Sequence, residues 1–323
     1  MTETLKWLLA GEPWVVYRTR LDLLGESEQS PAAREAYTAL LSHPKITALL
    51  DDLADWPGDP LKSHKKAGHG LHKLVFLADL GLRRGEPAVD QVAEKVLANT
   101  SSEGPVQVLV NLPKRFGGSG EDEMSWMLCD AGSTLYALAR MGWAEDPRVQ
   151  RAGKYLASLV REENGWPCAA TPSLGAFRGP GKAIDPCPYA NLLMIKALGC
   201  FGETYADPLD QGLTTLASLW EQRREVKPFL FAMGSGFEKL KAPFVWYDIL
   251  HVLDVLSQFR AARRFGPVRE MADIVAGKAD EEGRFKPESI WMDWRGWDFG
   301  QKREPSRWLT FLVLRALGRF DGG

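Results

Sequence analysis

Trp308-Leu-Thr-Phe-Leu-Val-Leu-Arg-Ala-Leu-Gly318 is apolar nearly all the way round when wound as a helix, and it closes on a glycine. Four earlier stretches read the same way: His72 to Gly81, Ser133 to Gly142, Tyr189 to Gly199 and Asp248 to Ser257. Their final small residues are 61, 57, 58 and 61 positions apart, so one structural unit recurs along the chain. A helix without a polar face must be covered on every side or face a pocket. The terminal glycines suit helix C-caps in the left-handed conformation.

Between these stretches lie amphipathic ones with charged faces: Asp146 to Glu163, Asp207 to Arg224 and Pro267 to Asp280. Each opens near Asp-Pro or Gly-Pro, a cap followed by a first-turn proline. Val106 to Leu112 is the only short candidate for a strand. The expected fold class is therefore all-α, an α/α toroid of helical hairpins. Apolar helices would form its inner ring and amphipathic helices its outer one. A single domain over residues 1–323 is expected, with 1–30 as N-terminal capping helices and 31–323 as the hairpin repeats.

Composition narrows the function. Forty Lys+Arg against 42 Asp+Glu give a net charge of -2, which argues against a nucleic-acid binder built on a broad basic surface. The four cysteines form no CxxC pair and are too few for a disulfide framework. No secretory leader pattern and no run of about 18 apolar residues is present, so a cytoplasmic protein without a transmembrane segment is expected. Walker A, Rossmann, HExxH and GxSxG motifs do not occur at convincing places.

Hairpins of this length, joined by Gly-Trp turns such as the one closing Leu156-Ala-Ser-Leu-Val-Arg-Glu-Glu-Asn-Gly-Trp166, resemble the repeats of protein prenyltransferase β subunits and squalene cyclases. Lys182, Asp185 and Cys187 keep the spacing of the prenyltransferase segment Lys-x-x-Asp-x-Cys. The resemblance implies a prenyl diphosphate contact for the lysine and zinc ligation for the aspartate and cysteine. It places the third ligand, a histidine in the family, at Asp248 after Trp246-Tyr247, with His251 one turn further on. It also implies diphosphate binding by Arg178, Lys182, Lys239 and Lys241, with Tyr189 one position later than the family tyrosine.

The residues support zinc on their own chemistry. A thiolate, a carboxylate and an imidazole or second carboxylate leave a fourth position open, as in catalytic zinc sites, and Cys187 at a helix start favours its thiolate. The same residues also read as a helix cap, Asp185 before Pro186, with Cys187 as a small buried hydrophobe. Met127-Leu-Cys-Asp-Ala-Gly132 stands where squalene-hopene cyclases carry their acid motif. Only Asp130 survives there, and the protonating position is Cys129, a poor acid toward an alkene. Asp51-Asp52-Leu-Ala-Asp55 spells DDxxD but reads better as a solvated helix end. His64, His69 and His72 cluster around the first apolar helix, where packing is the leading reading over a metal site or a general base.

The leading expectation is a prenyltransferase-like enzyme that holds an isoprenoid diphosphate in an apolar cavity, with zinc-assisted transfer to a thiol or another nucleophile. Asp185, Cys187, Asp248 and His251 would hold the metal. Arg178, Lys182, Tyr189, Lys239, Lys241, Trp246 and Tyr247 would bind the substrate. His251 would be either a fourth ligand or a base beside the metal. The alternatives are a terpene cyclase using Asp130 as its acid and a non-catalytic toroid that binds a lipid or a protein.

Overall fold

Proline and small polar residues place the helix starts in the computed structural model, which describes residues 2–174, 185–225 and 233–321. In chain order the helices are α1 (Glu3–Leu9), α2 (Pro13–Asp22), α3 (Pro31–Leu41), α4 (Pro44–Leu53), α5 (Gly70–Leu80), α6 (Pro87–Leu97), α7 (Leu128–Leu138), α8 (Pro147–Ala157), α9 (Pro188–Leu198), α10 (Ala206–Glu221), α11 (Ile249–Leu256), α12 (Gly266–Ala276) and α13 (Arg307–Asp321). Prolines occupy the first turn of α2, α3, α6, α8, α9 and α12, where a missing N–H costs nothing. Ser30 and Asp146 cap α3 and α8 by accepting the N–H of Ala33 and Arg148. The strand candidate becomes a small antiparallel hairpin, β1 (Val108–Asn111) with β2 (Asp122–Ser125).

The described residues group into two compact units. One comprises residues 2–48 and 233–321; the other comprises the described residues between 49 and 225. In the second unit α5 lies beside α7, and α7 beside α9. Every residue of α7 and α9 is buried, as expected for helices without a polar face. The amphipathic α8 and α10 cover them, α8 against α7 and α9 and α10 against α9. In the first unit α11 is wholly buried and packs on α12 and α13, while α2 packs on α1, α3 and α13. The described residues are thus helical apart from one hairpin, and they supply the buried and amphipathic helices that an α/α toroid requires.

The Gly-Trp turn has a physical explanation. Trp166 is fully buried, and its indole N–H donates to the Leu156 carbonyl at 3.0 Å. Its backbone exchanges two hydrogen bonds with the Asn191 amide, at 3.0 and 2.8 Å. The ring lies against Gly212 of α10, where any side chain would collide with it. Gly165 has φ +56°, and a Cβ there would strike the Asn191 amide oxygen. One tryptophan therefore ties α8, α9 and α10 together.

Two helix ends differ from the expected pattern. Gly81 is a left-handed C-cap at φ 95°, and Gly142 has φ 103°. Gly199 stays right-handed, because the chain continues into a 3-10 segment and reverses at Gly202 instead. α13 runs on past Gly318, where Arg319 is engaged with Asp254 and Ser257.

Two buried charge clusters tie helices within the units. Asp79 (5% exposed) of α5 receives the Lys196 ammonium of α9 at 3.1 Å and the Tyr136 hydroxyl of α7 at 2.6 Å. Lys196, itself 5% exposed, also lies 4.1 Å from the Tyr136 ring centroid. In the first unit Asp254 of α11 is held by both edges of the Arg315 fork, at 3.1 and 2.9 Å, and by Arg319. Among the described residues, no helix is long and apolar enough to cross a membrane.

Candidate functional site

Three extended segments lie side by side at the starts of α7 and α9. Residues 126–128 pair with 169–171 through Leu128 N–H to the Ala169 carbonyl and Thr171 N–H to the Trp126 carbonyl, both 2.9 Å. Residues 166–167 pair with 186–187, where the Cys187 N–H donates to the Trp166 carbonyl at 3.0 Å. This stitching sets Cys168 against Cys187 and both near Cys129 at the start of α7.

His64 reaches the same place from the loop before α5. Two imidazoles fix that loop. His69 caps α5 by accepting the Leu71 N–H on Nδ1, and its Nε2–H donates to the Asp59 carbonyl at 2.9 Å. His72 donates from Nε2 to the His64 carbonyl at 2.8 Å. Burial, helped by His64 and His69, lowers the His72 pKa to about 3, so it serves as a neutral donor. A backbone bond from Leu61 to β1 holds the loop from the other side.

The His64 Nε2 hydrogen-bonds to Asp130 Oδ1, and Cys129 Sγ lies 3.1 Å from the same nitrogen. Asp130 is fully buried, and its Oδ2 has no hydrogen-bond partner among the described residues. The His64 side chain is 16% exposed, which gives the cluster an opening. Tyr189 of α9 is buried, its ring edge-on to the imidazole with the ring centroids 5.9 Å apart. Among the described residues, His64, Cys129 and Asp130 are the three metal-type donors that converge, with their ligand atoms within 4.8 Å of one another.

The charges are coupled. Burial opposes the His64 imidazolium, yet neighbouring Cys129 and Asp130 raise its pKa well above the usual value. Burial pushes the Cys129 thiol up to about 11 against the pull of His64. The Cys168 S–H holds Cys187 below the usual thiol range, aided by N–H groups at the start of α9, and its own pKa rises accordingly. Cys187 stands at the start of α9, as expected, and Cys168 is the partner that sequence reasoning missed. Twin Pro-Cys pairs, Pro167-Cys168 and Pro186-Cys187, were the available signal.

The other expected site residues divide as follows. Asp185 is exposed. Arg178 and Lys182 lie outside the described residues. Asp248 and His251 belong to the first unit, where Asp248 Oδ1 caps α11 by accepting the His251 N–H at 3.0 Å. The His251 Nδ1–H donates to the Trp246 carbonyl, and its ring stacks on Phe244 at 4.5 Å. In these contacts Asp248 serves as a helix cap through one oxygen and His251 packs through its ring face. Lys239 is exposed, whereas Lys241 lies 4.2 Å from the Trp291 ring centroid. Trp246 is half-buried and Tyr247 buried, with their rings 5.5 Å apart. Asp51, Asp52 and Asp55 are exposed around the end of α4, as a solvated helix end should be.

No family model matches the chain, and no curated protein matches it. Among solved structures it is similar to a protein from Actinoplanes, with 16% identity and a TM-score of 0.43, covering 96% of this chain and 90% of that one. It is also similar to a type II terpene cyclase from Scytonema in complex with its substrate geranylgeranyl dihydroxybenzoate. There the identity is 13% and the TM-score 0.46, covering 96% of this chain and 87% of that one.

Proposed function

We propose that this chain is an enzyme of isoprenoid type whose reactive centre is His64, Cys129 and Asp130, holding zinc. The observation that carries the reading is the convergence of an imidazole nitrogen, a thiol and a carboxylate oxygen at the start of a buried helix. The donor set fits the metal. A sulfur donor favours zinc over magnesium, and the buried, partnerless Oδ2 of Asp130 gives an ion an oxygen that nothing else satisfies. Zinc bound there would lower the pKa of an acceptor thiol or hydroxyl, or polarise a substrate.

The chain's own residues do the rest. Asp130 and Cys129 hold the proton on His64 Nε2, so metal binding must release it and should strengthen as pH rises. His69 and His72 keep the His64 loop in place. The substrate class rests on the repeat resemblance and on the apolar helices α5, α7 and α9. Arg178, Lys182, Lys239 and Lys241 remain the candidates for a diphosphate group.

A second reading, cyclisation started by a proton without a metal, is favoured by the His64–Asp130 pair, in which one carboxylate oxygen is held and the other lacks a partner. Metal analysis of the purified chain, followed by product analysis with prenyl diphosphates and squalene in the presence and absence of a chelator, separates the two. Zinc-dependent transfer supports the first reading and chelator-insensitive cyclisation the second. A metal-free protein that binds these lipids without turnover would be a binding module.

A further inference from the structure

The segment after α11 gathers arginines. Arg260, Arg263 and Arg264 stand between α11 and α12, and Arg269 stands near the start of α12. With Phe320 of α13 they line a cavity of about 370 Å³. None of the lining residues is a carboxylate. The nearby acid Asp254 is already engaged by Arg315 and Arg319.

The bonds that position Arg263 and Arg269 go to backbone carbonyls. Arg263 donates from Nε to the Ser257 carbonyl at 2.8 Å and from Nη1 to the Arg319 carbonyl at 2.6 Å. Arg269 Nε donates to the Arg263 carbonyl at 3.3 Å. A carbonyl orients a guanidinium without neutralising it. Four positive charges therefore border one concavity, three of them on exposed side chains, so an entering anion meets guanidiniums that no lining carboxylate neutralises. Guanidinium forks match the oxygens of phosphate in pairs, and several phosphate oxygens can engage several forks at once.

We propose that this cavity binds a multiply charged phosphate group, supplied by a free phosphate compound or by a lipid headgroup. The proposal uses no residue of the His64 cluster, nor Lys239 or Lys241, so it stands apart from the metal-centred reading.

The test titrates sodium diphosphate into the full chain at low salt and compares three proteins: wild type, Arg260→Glu/Arg264→Glu and Lys239→Ala/Lys241→Ala. The arginine variant should bind at least about tenfold more weakly while retaining the wild-type melting temperature, and the lysine variant keeps this site. If the charge reversal unfolds the chain, Arg260→Gln/Arg264→Gln should show the same direction of change. Flotation with phosphatidylcholine vesicles, with and without phosphatidic acid, identifies the source. Capture by the acidic vesicles that free diphosphate displaces points to a headgroup; diphosphate binding without capture points to a free phosphate compound. Unchanged affinity in a folded arginine variant, or wild-type binding of neither probe, overturns the proposal.

Discussion

Asp130 and Asp248 both stand at the start of a buried helix, yet their surroundings give them opposite work. Asp248 turns one oxygen onto its own helix, capping α11 through the His251 N–H. Asp130 lies inside the first turn of α7 rather than at its cap, so its carboxylate is turned to a side chain from a distant loop, His64. Both carboxylates keep one buried oxygen without a partner. Among the described residues, Asp130 is the one of the two with a second and a third metal-type donor beside it. The charge clusters differ in the same way: α11 is tied by arginine forks, whereas α5, α7 and α9 share a lysine, an aspartate and a tyrosine. Three positions of register at the helix start separate a carboxylate that caps its own helix from one that meets a distant imidazole.

The most severe test of that contrast is His64→Ala. It should abolish turnover and weaken zinc binding at least about 100-fold, measured by metal analysis and competition with a chromophoric chelator. Asp248→Asn should keep one zinc per chain. Loss of zinc from the Asp248 variant with His64→Ala unaffected would reverse the assignment.

Next in size is the lysine of the second unit. Lys196→Met leaves Asp79 buried without its cation and should cost about 3–5 kcal/mol of stability, read by urea denaturation.

Asp248 itself should show in the pH dependence. Burial raises its pKa to about 6, with the Lys241 charge pulling the other way. A carboxyl raised in the folded state contributes stability that is present below its unfolded value and lost as pH rises through about 6. The loss should reach about 3 kcal/mol across that window, and Asp248→Asn should flatten the profile there. An unchanged slope in the variant would move the titrating group elsewhere.

The smallest effect is expected from Arg319→Met. Asp254 keeps both edges of the Arg315 fork, so the cost should be about 2 kcal/mol, the size of one charge-assisted bond. A loss equal to that of Lys196→Met would mean that the two clusters are built alike.

The helices were legible in the sequence because their signals are local: prolines at first turns, apolar runs and the spacing of small residues. The charged partners were less so. Asp130 was singled out from its place in an acid motif, and the histidine cluster was noticed. Nothing in the spacing, however, indicates that His64 turns toward α7 while His69 and His72 serve the backbone. That choice depends on which carbonyls the loop from Asp59 to His64 presents. Cys168 escaped for a similar reason, since its position follows from the pairing of residues 166–171 with two segments distant in sequence.

The Trp166 clasp also bears on how the chain reaches its fold. Its hydrogen bonds join residues only 10 and 25 positions apart, so they close short loops and forfeit little chain entropy. Contacts of that kind form early, and they favour α8 and α9 as the segment on which α10 condenses. Asn191→Ala should therefore slow refolding more than it speeds unfolding, a partition that stopped-flow tryptophan fluorescence reads directly. With that result, the turn that marks the repeat in the sequence would also set the order in which the second unit assembles.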